Sequence, residues 1–191
     1  MIGNDIVDLQ VASKQNNWQR PGFINKLFSK VEYDYIFNAE DPSQMVWLLW
    51  SMKESAYKAY LQKCPKRFFN PKKLECSLIS NLKGTVRIHN YEFQTKTEVT
   101  DNYIHTVATH NDEGSTLTKC FEIPSIYKAQ HDLTNAKLLK NISKMTSTSM
   151  ELLKIKKDAL GIPKIYKEDS LITLSISLSH HGSYGAFSIL N

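Results

Sequence analysis

The chain has 191 residues, 41% of them hydrophobic, which is enough for one substantial hydrophobic core. It contains no apolar run long enough to cross a bilayer, and its first residues lack the basic start and apolar stretch of a signal peptide. Three distant cysteines argue against a disulfide framework or a thiolate metal site. Composition therefore predicts a soluble, cytoplasmic protein, and the net charge of +5 favours anionic partners.

Residues 2–9 (IGNDIVDL) predict a short, mostly buried strand that carries two aspartates. Strand alternation places Asp5 and Asp8 on opposite faces, and Gly3 leaves space beside Asp5. A carboxylate inside such a strand needs a counter-charge or a bound cation. The alternative is that the strand ends early and both aspartates lie in an exposed turn.

A well-capped helix is predicted around Trp47–Lys58 (WLLWSMKESAYK). Asp41–Gln44 supplies an N-cap acid, a proline at the first position and a capping-box glutamine, and Pro65 bounds the far end. At about 100° per residue, one face is apolar and predicts a core contact. That face holds Met45, Leu48, Leu49, Met52, Ala56 and Ala59.

The opposite face of this helix combines charge with large aromatic side chains, so it also looks covered. It holds Trp47, Trp50, Glu54, Tyr57, Lys58 and Leu61. The simplest interpretation is an ordinary i,i+4 pair of Glu54 and Lys58, which contributes about 0.2–0.5 kcal/mol. The two ends of the chain bear on whether that interpretation holds.

The middle of the chain predicts two short helices over 23–38 and, after Pro65, an antiparallel meander. Its strands are expected at Leu74–Ser80, Thr85–Val99 and Tyr103–His110. His89, His105 and His110 lack metal-ligand spacing and are interpreted as ordinary strand residues. A weak helical pattern follows near Asp132–Lys144, and a stronger one predicts a helix over Glu151–Leu160.

The C-terminal residues alternate again and predict a half-buried strand over Leu171–Leu178. A donor-rich turn, Ser179–Ser183 (SHHGS), follows and the chain returns as Tyr184–Leu190. Hydroxyls, imidazoles and a glycine at a strand end suit a bound phosphate, although the same residues also make an ordinary hairpin turn. The sequence shows no internal repeat and no nucleotide-binding or hydrolase motif.

Taken in order, GNDIVDL, WLLWSMKESAYK and SLSHHGSYGAF resemble the 4′-phosphopantetheinyl transferase superfamily. The family pattern is a G-x-D-[IV] strand followed by a W/F-x-x-K-E-[SA]-x-x-K helix, and both are intact here. The chain order is similar to that of the short holo-acyl-carrier-protein synthase group. The Trp and Ser of the helix motif resemble the longer surfactin-synthetase-activating type.

The resemblance implies a magnesium-dependent transferase that moves the phosphopantetheine arm of coenzyme A to a serine of an apo acyl or peptidyl carrier protein, as in lipid biosynthesis. Asp5 and Glu54 would be metal-binding and ligate Mg²⁺, together with water and the coenzyme A pyrophosphate. Glu54 and Lys58 would be catalytic, the first helping to deprotonate the serine and the second holding the transferred phosphate.

The same resemblance implies that coenzyme A phosphates are bound by Lys53, Lys58, Ser179 and His180. The chain departs from the family where Val7 replaces a second acid that longer members carry. We expect one α+β domain over 1–191, an antiparallel sheet packed on the central helix, with a family-divergent insert at about 62–150. The insert leaves open whether the chain forms the homo-oligomer known for the short group.

Two other classes of function are alternatives to the enzyme. The first is a non-catalytic protein on the same fold that binds coenzyme A or a carrier protein. The second is a basic nucleic-acid-binding module, which the sequence disfavours because lysines greatly outnumber arginines and no Arg/aromatic patch is present. The predicted partners are therefore coenzyme A and a carrier protein, without nucleic acid or membrane.

Overall fold

The first half of the chain builds a five-stranded antiparallel sheet against one long helix. The computed structural model describes residues 1–68, 70–80, 82–110, 114–124 and 126–191. In chain order, the elements of this half are β1 (Ile2–Asp8), α1 (Leu9–Gln15), α2 (Phe23–Leu27), α3 (Lys30–Phe37), α4 (Pro42–Leu61), β2 (Leu74–Ser80), β3 (Lys83–Ile88), β4 (Tyr91–Val99) and β5 (Tyr103–Thr109). The strand order is β1-β5-β4-β3-β2, so the first strand of the sheet pairs with the last.

The second half has two three-stranded antiparallel sheets and a second long helix. Its elements are β6 (Thr116–Glu122), α5 (Tyr127–Thr146), β7 (Leu153–Lys157), β8 (Pro163–Lys167), β9 (Ser170–Ile172), β10 (Ser175–His181) and β11 (Tyr184–Leu190). The strand orders are β10-β11-β6 and β7-β8-β9. This mixture of helices and antiparallel sheets confirms the predicted α+β class.

The two halves have a similar topology, which the sequence did not reveal. Each begins with a strand, continues into a helix of 20 residues and returns through antiparallel strands. In each, the last strand pairs with the first: β5 with β1, and β11 with β6. Two segments can share this topology without similar residues, because the topology depends on which positions are buried and many different side chains can fill a buried position. Comparison of the residues therefore does not reveal the repeat.

The helix α4 occupies the centre of the first half, as its capping signals predict. The Asp41 carboxylate accepts a hydrogen bond from the Gln44 amide at 2.9 Å, and Pro42 begins the helix. Leu49, Met52 and the two alanines of the apolar face are fully buried against the sheet. The opposite face is only partly covered, since Trp47 is 6% exposed but the Lys58 side chain is 32% exposed.

The strand β1 approaches α4 closely, and this contact requires Gly3. A methyl group at Gly3 would overlap the Ser55 carbonyl oxygen and lie 2.7 Å from the Ala59 nitrogen. No side chain fits at this separation, so glycine sets how near the strand lies to the helix. The predicted space beside Asp5 is therefore filled by the backbone of the helix.

Three predictions for the second half are corrected. The single strand predicted over Leu171–Leu178 is divided between β9 and β10, which belong to different sheets. The helix predicted over Glu151–Leu160 is a short 3₁₀ turn followed by β7, in which inward Leu153 and Ile155 alternate with lysines. Ser179–His181 continue β10, so that the turn is limited to Gly182 and Ser183, where Gly182 has a φ of +56°. The weak helix near Asp132–Lys144 is confirmed as part of α5. No helix among the described residues is long and apolar enough to span a membrane.

Candidate active site

The three motifs of the sequence meet because β1 lies between α4 and β10. One face of β1 directs Asp5 toward α4, and the other directs Asn4 toward β10. The Asn4 amide nitrogen of the main chain donates to Ser177 Oγ at 2.9 Å, and Asn4 Nδ2 donates to the Ser177 carbonyl at 2.8 Å. Ser179 Oγ in turn donates to Asn4 Oδ1. Alternation along β1 thus connects the helix motif to the C-terminal motif.

Lys58 bridges α4 and β1 at the centre of this junction. Its ammonium donates to Asp5 Oδ1 and to the Asn4 carbonyl, each at 2.9 Å. The Lys58 side chain is 32% exposed and that of Asp5 is 14% exposed. The ordinary surface pair of Lys58 with Glu54 is thus not the arrangement found, because Lys58 forms its ion pair with Asp5 on another element.

Glu54 lies one helical turn before Lys58, and the charges of both Asp5 and Lys58 affect its ionisation. Burial and, to a lesser extent, the nearby Asp5 carboxylate raise the pKa of Glu54 to about 6, although the Lys58 charge opposes the shift. Two neighbouring carboxylates with one partly exposed ammonium leave negative charge that is incompletely balanced. That donor set suits a hard divalent cation, which commonly takes one or two carboxylates and completes its shell with water and phosphate oxygens.

A cleft of about 280 Å³ brings the two carboxylates together with the C-terminal motif. Its lining residues are Asp5, Ile6, Val7, Asn16, Trp47, Trp50, Glu54, His180 and His181. Val7, which also lines this cleft, is apolar and 4% exposed. Cation ligands in this cleft would therefore come from the strand acid and the helix acid.

His180 lines the same cleft and is half-buried. Burial lowers its pKa, and the charges of His131, Lys58 and Lys157 lower it further. An imidazole that shares a cleft with a pair of carboxylates can contact an anion that also binds a cation.

Asp8 and His181 position the C-terminal turn relative to β1. The Asp8 carboxylate accepts from the Val11 amide at 3.0 Å, which caps α1, and from the Ser183 amide at 2.9 Å. The Asp8 amide donates to His181 Nδ1 at 2.9 Å, so the neutral imidazole carries its proton on Nε2. Asp8 is 3% exposed, so the alternative of an exposed turn is wrong for this residue.

Ser179 and Lys53, both predicted to contact coenzyme A phosphates, have structural partners instead. Ser179 is 7% exposed and its hydroxyl donates to Asn4. Lys53 is 1% exposed and its ammonium donates to Glu32 at 2.8 Å and to the carbonyls of Pro71 and Leu74. These hydrogen bonds use all three donors of the ammonium, which leaves none for a phosphate. The phosphate contacts predicted for Lys53 and Ser179 stay predictions, and these hydrogen bonds argue against them.

Glu32 is the partner that sequence reasoning missed. It lies at N3 of α3, where Ser29 and Glu32 form a capping box, and it is completely buried. Its carboxylate also accepts from the Cys76 amide at 2.8 Å. The sequence signal was the S-x-x-E pattern before an apolar run, but it did not indicate that the glutamate would also pair with α4.

A second and larger cleft, of about 540 Å³, lies on the other side of Glu54 and Lys58. It is mostly apolar and also carries one arginine. Its lining residues are Glu54, Tyr57, Lys58, Leu61, Gln62, Arg67, Phe68, Leu160, Gly161, Ile162, Pro163, Ile176, Ser177 and Leu178. Glu54 lines both clefts. A ligand that occupied both clefts would therefore pass beside Glu54.

A family model described as the 4′-phosphopantetheinyl transferase superfamily matches residues 1–108, more than half of the chain. The chain belongs to this superfamily. The matched range covers the first half, with β1, α4 and both carboxylates, while β10 and His180 lie beyond it. Membership supports a phosphopantetheinyl transferase activity.

Among solved structures, the holo-acyl-carrier-protein synthase of Thermotoga maritima matches with 13% sequence identity and a TM-score of 0.45. The alignment covers 73% of this chain and 89% of the Thermotoga chain. A search of curated proteins finds no significant match.

Proposed function

We propose that this phosphopantetheinyl transferase is of the holo-acyl-carrier-protein synthase type. In this proposal it transfers the 4′-phosphopantetheine group of coenzyme A to a serine hydroxyl of an apo acyl or peptidyl carrier protein. The reaction would depend on Mg²⁺ and would serve lipid biosynthesis or a related carrier-based synthesis in the cytoplasm. The observation that carries the proposal is the pairing of Asp5, Glu54 and Lys58 at the meeting point of two clefts.

The roles of the two carboxylates follow from their different environments. Lys58 forms an ion pair with Asp5 and not with Glu54, so the ionised form of Glu54 is the less stabilised of the two carboxylates. A bound Mg²⁺ would supply positive charge to both carboxylates and to the pyrophosphate of coenzyme A. With a pKa of about 6, Glu54 is ionised at neutral pH and can accept the proton of the attacking serine, directly or through water.

Lys58 and His180 would hold the phosphates. The Lys58 ammonium lies at the edge of the larger cleft and is exposed enough to exchange a partner. It would stabilise the charge that develops on the transferred phosphate. His180 on the rim of the smaller cleft would contact the remaining phosphates, and the apolar lining of the larger cleft suits a mostly uncharged arm such as pantetheine.

The test is to incubate the protein with coenzyme A, Mg²⁺ and a panel of apo carrier proteins, and to measure carrier mass by mass spectrometry. We expect a phosphopantetheine increment that a chelator abolishes. Asp5→Ala and Glu54→Gln should lose it while remaining folded, and the exposed acid Glu151, changed to Gln, serves as the matched control. Full transfer by either site variant would refute the assigned roles. Calorimetric binding of coenzyme A without any mass gain would indicate the non-catalytic binder instead.

A further inference from the structure

A second group of potential metal ligands lies between the two halves of the molecule, away from the carboxylate pair. Glu98 on β4, His105 on β5 and Cys120 on β6 each offer one ligand atom, and these atoms lie within 4.8 Å of one another. Glu98 and His105 are direct cross-strand partners, so both side chains stand on the same face of the first sheet. Cys120 reaches them from the second half, and three elements thus converge.

The Nε2 atom of the His105 imidazole is buried and lacks a hydrogen-bond partner. His105 is 3% exposed, and Nε2 is one of only three buried side-chain polar atoms in the described residues without a partner. Buried polar atoms are nearly always satisfied, so an unpaired one calls for an explanation such as an ion or a water molecule. Its position among a thiol and a carboxylate favours the ion.

We propose that Glu98, His105 and Cys120 bind a transition-metal ion of the Zn²⁺ type that links the two halves of the chain. Imidazole, thiolate and carboxylate are the ligands that Zn²⁺ takes, whereas Mg²⁺ prefers oxygen ligands alone. The donor chemistry thus separates this site from the acidic pair of the candidate active site. Three protein ligands leave a fourth position for water.

The surroundings of the cluster provide both support and access. Tyr103 Oη donates to Glu98 Oε1 at 3.2 Å, which orients the carboxylate from outside the ligand set. A cavity of about 630 Å³ between the sheets is lined by Glu98, His105 and the β6 threonines Thr116 and Thr118. An ion can therefore reach the site through this cavity.

The thiol of Cys120 is protonated when no metal is present. Burial and the charge of Glu98 raise the pKa of Cys120 to about 12. A coordinated cation reverses this balance, because a thiol that ligates Zn²⁺ is deprotonated outright. Binding would therefore release the thiol proton to solvent, and the new thiolate–metal bond would form in its place.

Cobalt substitution of the full-length protein tests the proposal with a readout specific to a thiolate ligand. Titration with Co²⁺ should give a thiolate-to-cobalt charge-transfer absorption that saturates at one ion per chain. Cys120→Ser should abolish this absorption, while Cys64→Ser, a control at a half-buried cysteine outside the cluster, should retain it. Absence of the absorption in the wild type, its survival in Cys120→Ser or its loss in Cys64→Ser would each overturn the proposal.

A second pair of variants keeps the test independent of how well Cys120→Ser folds. Glu98 is exposed, so Glu98→Ala should fold normally and bind Co²⁺ at least about 10-fold more weakly. Tyr103→Phe should also bind Co²⁺ about 10-fold more weakly, because the carboxylate loses its orienting hydroxyl. Zn²⁺ should raise the thermal midpoint of the wild type more than that of either variant. Equal Co²⁺ affinity in wild type and Glu98→Ala would contradict the site.

Discussion

Lys53 and Lys58 show how burial decides what a charged side chain does. Both lie on α4 and both pair with a carboxylate, but Lys53 is 1% exposed whereas the Lys58 side chain is 32% exposed. A buried pair with satisfied hydrogen bonds holds one arrangement, while a partly exposed ammonium can change partners. The sequence motif indicated a functional role for both lysines. Spacing along a helix predicts the side on which a residue lies, but it does not predict how deeply other elements bury its side chain.

We expect Lys53→Met to destabilise the fold and Lys58→Met to affect mainly the reaction. Removal of Lys53 leaves Glu32 buried and unpaired, which costs about 3–5 kcal/mol in the free energy of unfolding. Removal of Lys58 should cost about 1 kcal/mol or less, yet lower transfer below detection. Urea denaturation and the carrier mass assay measure the two effects. The double variant Glu32→Gln, Lys53→Met should regain part of the lost stability.

Glu54 should make stability depend on pH in the metal-free protein. Its folded pKa of about 6 lies above the ordinary value of 4.5, so the folded state binds the proton more tightly than the unfolded chain. Stability from this residue is therefore full below about pH 4.5 and is lost as the pH rises through about 6, by about 2 kcal/mol in total.

Glu54→Gln removes this titration. The free energy of unfolding of the variant minus that of the wild type should therefore increase by about 2 kcal/mol from about pH 4 to about pH 7.5. Chemical denaturation in the presence of a chelator measures the difference at each pH. The exposed control Glu151→Gln should show no such trend. An equal difference at both pH values would contradict the inferred environment of Glu54.

At the level of elements, β1 is the most constrained strand of the site because each face contacts a different element. Its Gly3 face contacts α4, and its Asn4 face is tied to β10. The sequence predicted β1 and α4 well, since both have clear boundary signals. It failed at Glu151–Leu160, where Leu153 and Ile155 alternate with lysines over only the five residues of β7, a strand that is completed by its pairing with β8.

We expect Gly3→Ala to separate β1 from α4 and to damage both stability and the site. The added methyl group overlaps the helix backbone, which cannot move as a side chain could, so about 1–3 kcal/mol or more of unfolding free energy should be lost. Urea denaturation and coenzyme A binding measure the two losses. Ser13→Ala, at an exposed position of the neighbouring helix α1, should leave both unchanged.

At the scale of the whole molecule, the candidate site needs both halves of the chain. The carboxylates and Lys58 come from the first half, whereas His180, His181 and the β10 partners of Asn4 come from the second. The three motifs predicted that these residues would meet. They could not predict the repeated topology, or the Glu98, His105 and Cys120 cluster, because neither has a local spacing signal.

The two halves should be inactive apart and active together. A fragment of residues 1–113 would expose Ile2, Asn4 and Ile6, all buried here, and would lack His180. We expect no carrier modification by this fragment or by residues 114–191 alone, and partial recovery when the two are expressed together. Transfer by residues 1–113 alone would contradict the role given to the second half. The carrier mass assay measures each case.

The ion pair of Lys58 with Asp5 makes the ammonium a competitor of any cation at the same carboxylate. A divalent ion that takes Asp5 Oδ1 would displace Lys58 from that oxygen, and the displaced charge would then need a new anion. A phosphate-bearing ligand provides one, so the metal and the ligand should each bind more tightly when the other is present. The metal and the ligand would thus bind cooperatively. Lys58 neutralises Asp5 when the site is empty, and it favours the complex with both the metal and the ligand over a complex with only one of them.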